Sequence, residues 1–292
     1  MDQRLADVLS VLELEPLELN LFRGESRDIG SPQVFGGQVL GQALVAAYRT
    51  VEARECHSLH AYFLRRGDFN APIVYQVDRS RDGQSFTSRR VVAIQHGEQI
   101  FHMSCSFQVA EPGMEHEAPM PDVPPPEGLP DFDSYREELL ADLPEKVQRF
   151  FEHRRPFEFR PVVKPNFANP VPRPASKQVW FRAVDQVPSD EARLHRCLLA
   201  YVSDYNLLDT ATLPHPASYP HLQMASIDHA MWFHRPFRAD EWLLYAVDSP
   251  SASGARGFAR GTVFTRDGRL VASTAQEGLI RPREAAAEPV GR

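Results

Sequence analysis

Asp204 is the residue whose placement first invites a chemical reading. Leu194, Cys197, Leu198, Tyr201, Val202 and Tyr205 recur at i, i+3, i+4, i+7, i+8 and i+11, the apolar stripe of one helix over Glu191–Asp209. Leu199 and Ala200 widen the stripe, so most of this helix reads as buried. Pro188 precedes it, and Ser189 or Asp190 can cap its start. Asp204 falls about 60° from the middle of the stripe. A carboxylate at the rim of a buried face must be hydrogen-bonded, paired or functional. The plainer alternative is an Asp that caps the following turn.

Other groups could carry chemistry. Ser226, Asp228 and His229 look like a nucleophile, acid and base. In a regular strand Ser226 and Asp228 share a face and His229 points away, and the chain has no G-x-S-x-G elbow. The Asp228-His229 pair therefore reads as orienting strand and helix. His57 and His60 form H-x-x-H without a third ligand at a useful spacing, which favours structural or pocket-lining roles over metal. Gly36-Gly37 opens a second apolar run and is either a tight entry turn or a helix start whose free N–H groups face a ligand oxygen. It is not GxGxxG, so no dinucleotide site follows. Arg65, Arg66, Arg235 and Arg260 are candidate phosphate partners.

These residues need elements to hold them. Leu5, Val8, Leu9 and Leu12 predict a short amphipathic helix, and Leu17, Leu19 and Leu21 alternate as a strand. Phe35–Val51 predicts a buried helix rich in Gly and Ala, each glycine weakening it by about 1 kcal/mol unless packing compensates. His57–Gln108 reads as four strands with turns at Gly67-Asp68, Asp82-Gly83 and Gly97-Glu98. More than half of the 25 prolines lie between Glu111 and Pro188. That stretch predicts a long surface connection with a helical piece over Tyr135–Arg155. Gln178–Ala183 resumes as strand. After a His-, Pro- and Tyr-rich loop at Thr212–Leu222, four strands follow from Ala225 to Arg281.

The halves resemble each other. His57–Arg66 can be laid over Ser226–Arg235, Ile73–Asp78 over Leu243–Asp248, and Gly97–Ser106 over Gly268–Glu277, which puts Cys105 where Gln276 falls. Each half reads strand, long buried helix, four strands. The fold class is α+β, two antiparallel sheets each wrapped round a central helix by tandem duplication. The expected units are residues 1–110, a Pro-rich connection 111–174, and 175–292.

Bulk properties exclude several classes. A net charge of −7 and a pI near 5.9 offer no field for nucleic acid or anionic membrane. Three scattered cysteines, Cys56, Cys105 and Cys197, fit a reducing compartment. The N-terminus has no secretory pattern, the apolar runs are too short to span a bilayer, and the terminal Pro-Val-Gly-Arg is not a peroxisomal address. The expectation is a cytoplasmic protein.

The segments GGQVLGQAL (36–44), HSLHAYFLRRGD (57–68), YVSDYNLL (201–208), ASIDHAMWFHRPFRADEWLLY (225–245) and STAQEGLIR (273–281) closely resemble the type II acyl-CoA thioesterases, a double-hotdog family. The resemblance covers nearly the whole chain and is weakest in the Pro-rich middle. It implies hydrolysis of medium- to long-chain fatty acyl-CoA, no metal or other cofactor, and a homo-oligomer, dimer or tetramer. Its catalytic trio lands on Asp204, Ser226 and Gln276. Many relatives carry Thr at the position of Ser226; the hydroxyl is kept and a rotamer-fixing methyl is lost. Gly36, Gly37, His57 and Arg235 are the candidate substrate-binding residues. Trp232, Phe233 and Phe237 are candidates for shaping the acyl tunnel.

That trio suits a thioester. The leaving thiol has a pKa near about 8.5, much as cysteine does, and departs without strong protonation. An oriented water and oxyanion stabilisation matter more than a matched acid. Asp204 would hold and deprotonate the water, and Ser226 and Gln276 would fix both. Backbone N–H groups at Gly36-Gly37 would face the oxyanion. Two alternatives remain. A hotdog hydratase or dehydratase would match Asp204-Tyr205-Asn206 but wants a downstream His where Asp209 stands. A non-catalytic acyl-CoA binding protein should have lost a member of the trio.

Overall fold

The computed structural model describes residues 1–141, 143, 145–166, 170–215 and 221–283. The predicted loop at 212–222 lies partly outside these residues, and the C-terminal Pro-Val-Gly-Arg lies wholly outside. The N-terminal half comprises α1 (Gln3–Leu12), β1 (Glu15–Glu18), β2 (Leu21–Gly24), α2 (Gly36–Tyr48), β3 (Glu55–Phe63), β4 (Ile73–Asp82), β5 (Phe86–Gln95) and β6 (Glu98–Gln108). The Pro-rich stretch contributes α3 (Arg136–Ala141), α4 (Glu145–Glu152) and β7 (Phe157–Pro161). The rest forms β8 (Ser176–Ala183), α5 (Ala192–Ser203), β9 (Leu222–Ser226), β10 (Asp228–Phe233), β11 (Leu243–Ser253), β12 (Arg256–Thr265) and β13 (Leu270–Pro282).

The chain forms the expected double hotdog, with one difference. The two sheets are not separate. Strand order runs β1-β2-β4-β5-β6-β3-β10-β13-β12-β11-β8-β7, with β9 also on β13. Antiparallel pairing of β3 with β10, His60 opposite Ala230 and Ala61 opposite His229, fuses the two edges. Joining them removes two exposed strand edges that each half would otherwise present.

Both central helices are buried because their small residues let backbones meet. In α2, Leu40, Ala43 and Leu44 are fully buried, and each leucine contributes roughly 1.5–3 kcal/mol. A Cβ at Gly37 would lie 2.1 Å from the Tyr201 carbonyl oxygen in α5, and one at Gly41 would lie 3.3 Å from that of Cys197. Alanine cannot occupy position 37 at this helix separation.

Four expectations change in detail. Helix α5 ends at Ser203, six residues before the predicted stretch closes, and Glu191 rather than Ser189 or Asp190 takes the N-cap, without a side-chain bond. Leu17, Leu19 and Leu21 do not share a strand: the chain turns at Asn20, whose φ of 65° breaks the extended run. The Pro-rich connection does not simply cross the surface. Phe132, Leu139, Leu143 and Phe151 join the main core, and β7 pairs with β8 at the sheet edge. The helical piece at Tyr135–Arg155 is two short helices. Among the described residues no helix is long and apolar enough to cross a membrane.

Strand register settles how the duplicated halves correspond. Cys105 lies opposite Leu59 and Arg89, and Gln276 lies opposite Ala259 on the step next to the Ala230–Ala275 pair, facing His229. Cys56 lies opposite Phe107 as Ser226 lies opposite Gly278. Cys105 does fall where Gln276 falls. The overlay of His57–Arg66 shifts by one, so Leu59, not His60, occupies the place of His229.

Candidate active site

Asp204 is the C-cap of α5, still in the right-handed helical region. Asn206 follows at φ 63°, a conformation that Asn tolerates and that ends a helix. The chain therefore stops climbing just where the carboxylate emerges, and the side chain stays only 7% exposed.

Oδ1 of Asp204 is held from the sheet. Gln276 Nε2 donates to it at 2.8 Å, and Ser226 Oγ donates at 3.4 Å. Gln276 Nε2 also lies 3.1 Å from Ser226 Oγ. Oδ2 faces the start of α2: a Cβ on Gly36 would come within 2.7 Å of it. Only a glycine leaves that oxygen room.

Ser226 reaches this point through a bulge. Four steps back from Ala230 to Ser226 answer three steps from Ala275 to Gly278, so Ile227 is an extra residue between β9 and β10. The extra residue turns Ser226 and His229, three apart, onto one face. Strict strand alternation, which sent His229 away from the site, fails here. His229 is fully buried, and its Nδ1 lies 3.1 Å from Gln276 Nε2. Its Nε2 lies 3.0 Å from Ser203 Oγ, which in turn sits 3.0 Å from the Ala200 carbonyl. Asp228 points elsewhere and accepts from the Glu277 N–H at 2.7 Å. His229 and Ser203 are thus site residues that pattern reading missed; the irregular strand motif around Ile227 was the only available hint.

The hydrogen bonds fix the protons. Ser203 Oγ–H donates to the Ala200 carbonyl, so Ser203 accepts from His229 Nε2–H. Nδ1 of a neutral imidazole is then an acceptor and takes one amide proton of Gln276. The other goes to Asp204. Burial lowers the His229 pKa to about 4, which outweighs the opposing pull of Asp204 and keeps the ring neutral near neutral pH. Gln276 Oε1 is buried without a partner among the described residues, a cost of about 1–3 kcal/mol. Turning the amide round would put Oε1 against the carboxylate and forfeit a charge-assisted bond, so the observed orientation wins.

A cavity of about 440 Å³ opens at this point, lined by Phe35, Gly36, Phe63, Asp204, Tyr205 and Ser226 among others. Gly36, the first residue of α2, belongs to that wall. Gly37 is turned against α5 instead. Arg65 and Arg66 line the cavity; His57, Arg235, Arg260, Trp232, Phe233 and Phe237 do not. His57 bonds Ser106 Oγ at 2.8 Å and packs edge-on to Phe86. Arg235 pairs with Glu117 at 3.0 Å. Asp209, standing where a hydratase would carry its His, is bound through both oxygens to Lys177 at 2.6 Å. Chemically, the arrangement offers one carboxylate oxygen held by the protein and one turned toward the cavity, next to a hydroxyl and beside a helix start. That suits binding and deprotonating a water.

The corresponding place in the N-terminal half holds Cys56, Leu59 and Cys105. All three are buried. Burial pushes the Cys56 thiol up to about 12 and the Cys105 thiol well up too, so both stay protonated and poorly nucleophilic.

Known proteins resemble this chain over nearly its whole length. The family described as acyl-CoA thioesterase matches residues 147–279, and that described as acyl-CoA thioesterase N-terminal domain matches residues 23–108. Acyl-coenzyme A thioesterase 8 of Homo sapiens is 44% identical over 296 residues, spanning 98% of this chain and 92% of that protein. Acyl-CoA thioesterase 2 of Haemophilus influenzae is 43% identical over 284 residues, spanning 96% and 99%. A crystal structure of an acyl-CoA thioesterase II from Mycobacterium marinum superposes with a TM-score of 0.78 at 45% identity, covering 95% of this chain and 99% of that one.

Proposed function

The chain belongs to the acyl-CoA thioesterase family, and from that premise we propose that it hydrolyses medium- to long-chain fatty acyl-CoA with a water held by Asp204, Gln276 and Ser226. The observation that carries the reading is the division of labour on Asp204. Oδ1 is occupied by Gln276 and Ser226, and Oδ2 is turned to the cavity wall at Gly36. A water on Oδ2 attacks the thioester carbonyl as Asp204 takes its proton. The tetrahedral oxyanion rests on the Gly36 N–H at the start of α2. Collapse expels the CoA thiolate, and the acid leaves as its carboxylate. Phe35 and Phe63 supply apolar wall for the acyl group.

The test is thiol release from acyl-CoAs of C4 to C18 by the wild-type chain and by Asp204→Asn. Activity on several lengths is expected, with a loss of at least about 100-fold in the variant, the low end of what a positioned base contributes. A folded Asp204→Asn protein with unchanged turnover refutes the mechanism. Hydration of enoyl-CoA without thiol release favours the hydratase reading, which the Lys177-bound Asp209 makes the weaker one.

A further inference from the structure

Arg155 is a half-buried charge that the mechanism leaves unused. It follows α4, and its guanidinium carbon lies 4.7 Å from the centre of the Phe132 ring, 5.0 Å from Tyr205, and 5.5 Å from both Phe150 and Phe159. No hydrogen bond or ion pair holds it among the described residues; the acids that act on it do so only at a distance. Those acids are engaged elsewhere. Asp133 pairs with Arg136, and Asp209 with Lys177.

The buried guanidiniums among the described residues are held. Arg89 pairs with Asp82 at 2.6 Å and bonds Thr50, and Arg196 pairs with Glu55. Aromatic faces attract the charge of Arg155, but they leave its five N–H donors unspent. Arg155 lines the same cavity as Asp204 and Ser226, and Tyr205, whose ring it covers, is the next residue after the carboxylate. Its free donors therefore adjoin the space a substrate must enter.

We propose that Arg155 receives an anionic group of the acyl-CoA substrate. The proposal rests on the thioesterase reading. Two parts of a substrate could bring the charge: a carboxylate at the far end of the acyl chain, or a phosphate of CoA. Both are planar-to-tetrahedral oxyanions that a guanidinium fork binds in pairs of hydrogen bonds.

Steady-state kinetics on three substrates separate the cases. Hexanoyl-CoA has a neutral acyl group, adipoyl-CoA the same length with a terminal carboxylate, and hexanoyl-pantetheine no phosphate. Arg155→Met is compared with the wild-type chain. If the carboxylate is the ligand, the ratio of kcat/KM for adipoyl-CoA over hexanoyl-CoA falls about 10- to 100-fold, the range for a hydrogen bond to a charged group. If a phosphate is the ligand, the ratio for hexanoyl-CoA over hexanoyl-pantetheine falls instead, through KM more than kcat. Neither ratio moving, or all three substrates losing rate in step, overturns the proposal, because Arg155 is then a structural clamp. Should Arg155→Met not fold, Arg155→Lys keeps the charge without the fork, and the same ratio is expected to fall by a smaller factor; an unmoved ratio overturns the proposal there as well. A wild-type chain that releases no thiol from hexanoyl-CoA counts against the thioesterase reading itself, whereas an active wild type with unmoved ratios counts only against Arg155.

Discussion

His229 gives a prediction whose size can be worked from its surroundings. The change to make is His229→Leu, since Leu59 fills the matching place in the N-terminal half and is itself fully buried. At neutral pH the variant loses two buried hydrogen bonds, to Gln276 and to Ser203. A Gln276 N–H is left without its acceptor, so the cost is about 1–3 kcal/mol. Acid narrows that difference. The unfolded imidazole titrates near 6.5 and the folded one near about 4. A depressed folded value means the unfolded chain binds the extra proton. The stabilisation is complete above pH 6.5 and is lost as pH falls toward 4. Across that window the loss is on the same scale as the cost of the broken hydrogen bonds.

Urea unfolding of both proteins at fixed concentration, at pH 7.5 and at pH 4.5, reads the effect. Other histidines with depressed values, such as His195 and His234, contribute to both proteins and cancel in the difference. The wild-type chain is expected to be the more stable at pH 7.5 and to lose most or all of that lead at pH 4.5. A lead that stays constant with pH would falsify the assignment of His229 as a neutral acceptor for Gln276, because a ring that is already protonated, or that titrates normally, gives no such convergence.

Two further changes probe the carboxylate from opposite sides. Gln276→Met keeps the length of the side chain and removes its donors, so the 2.8 Å bond to Asp204 disappears; kcat is expected to fall about 10- to 100-fold with KM changed little, and a drop confined to KM would contradict the role given to the amide. Gly36→Ala sets a methyl 2.7 Å from Asp204 Oδ2 and 3.1 Å from the Phe63 ring. Hydrolysis by this variant is expected to slow by about tenfold or more, the scale of harm a small misplacement of a reacting group can do, and an undiminished kcat would mean that Oδ2 is not the working oxygen.

Much of this architecture could be read from periodicity. Helices α2 and α5, strands β3 to β6 and β11 to β13, and the duplication all follow from apolar spacing and from turn residues such as Gly97. What periodicity misses is irregular. Ile227 is one extra residue, and it reverses the side on which His229 lies relative to simple alternation. No residue type marks a bulge unambiguously. The same shift explains why an overlay made by matching His60 to His229 is off by one, whereas strand pairing matches Leu59. His57 and Arg235 were singled out by motif position, but nothing in a linear pattern reports the side of a sheet on which a cavity opens. The contribution of the Pro-rich stretch was hidden for a related reason. Its Phe132, Leu139 and Phe151 have no clean period, and only the tertiary fold shows that they cover the core.

The two halves are not copies in function, and the packing explains why they need not be. The C-terminal half supplies the carboxylate, the amide, the hydroxyl and the imidazole. The N-terminal half supplies Phe35, Phe63 and the glycine start of α2, which faces Asp204 Oδ2 across the helix pair. Replacing Ser226, His229 and Gln276 by their counterparts Cys56, Leu59 and Cys105 gives a set with no strong donor and no charge, which packs as core. A polar network at that second location would have to satisfy every buried donor and acceptor without a cavity's chemistry to justify it. An apolar set there needs no hydrogen bonds to be satisfied. The glycines of α2 do not tolerate such replacement. Gly37 is pinned by the Tyr201 carbonyl and Gly36 by the carboxylate it faces, so the half without the polar cluster still sets the geometry of the other.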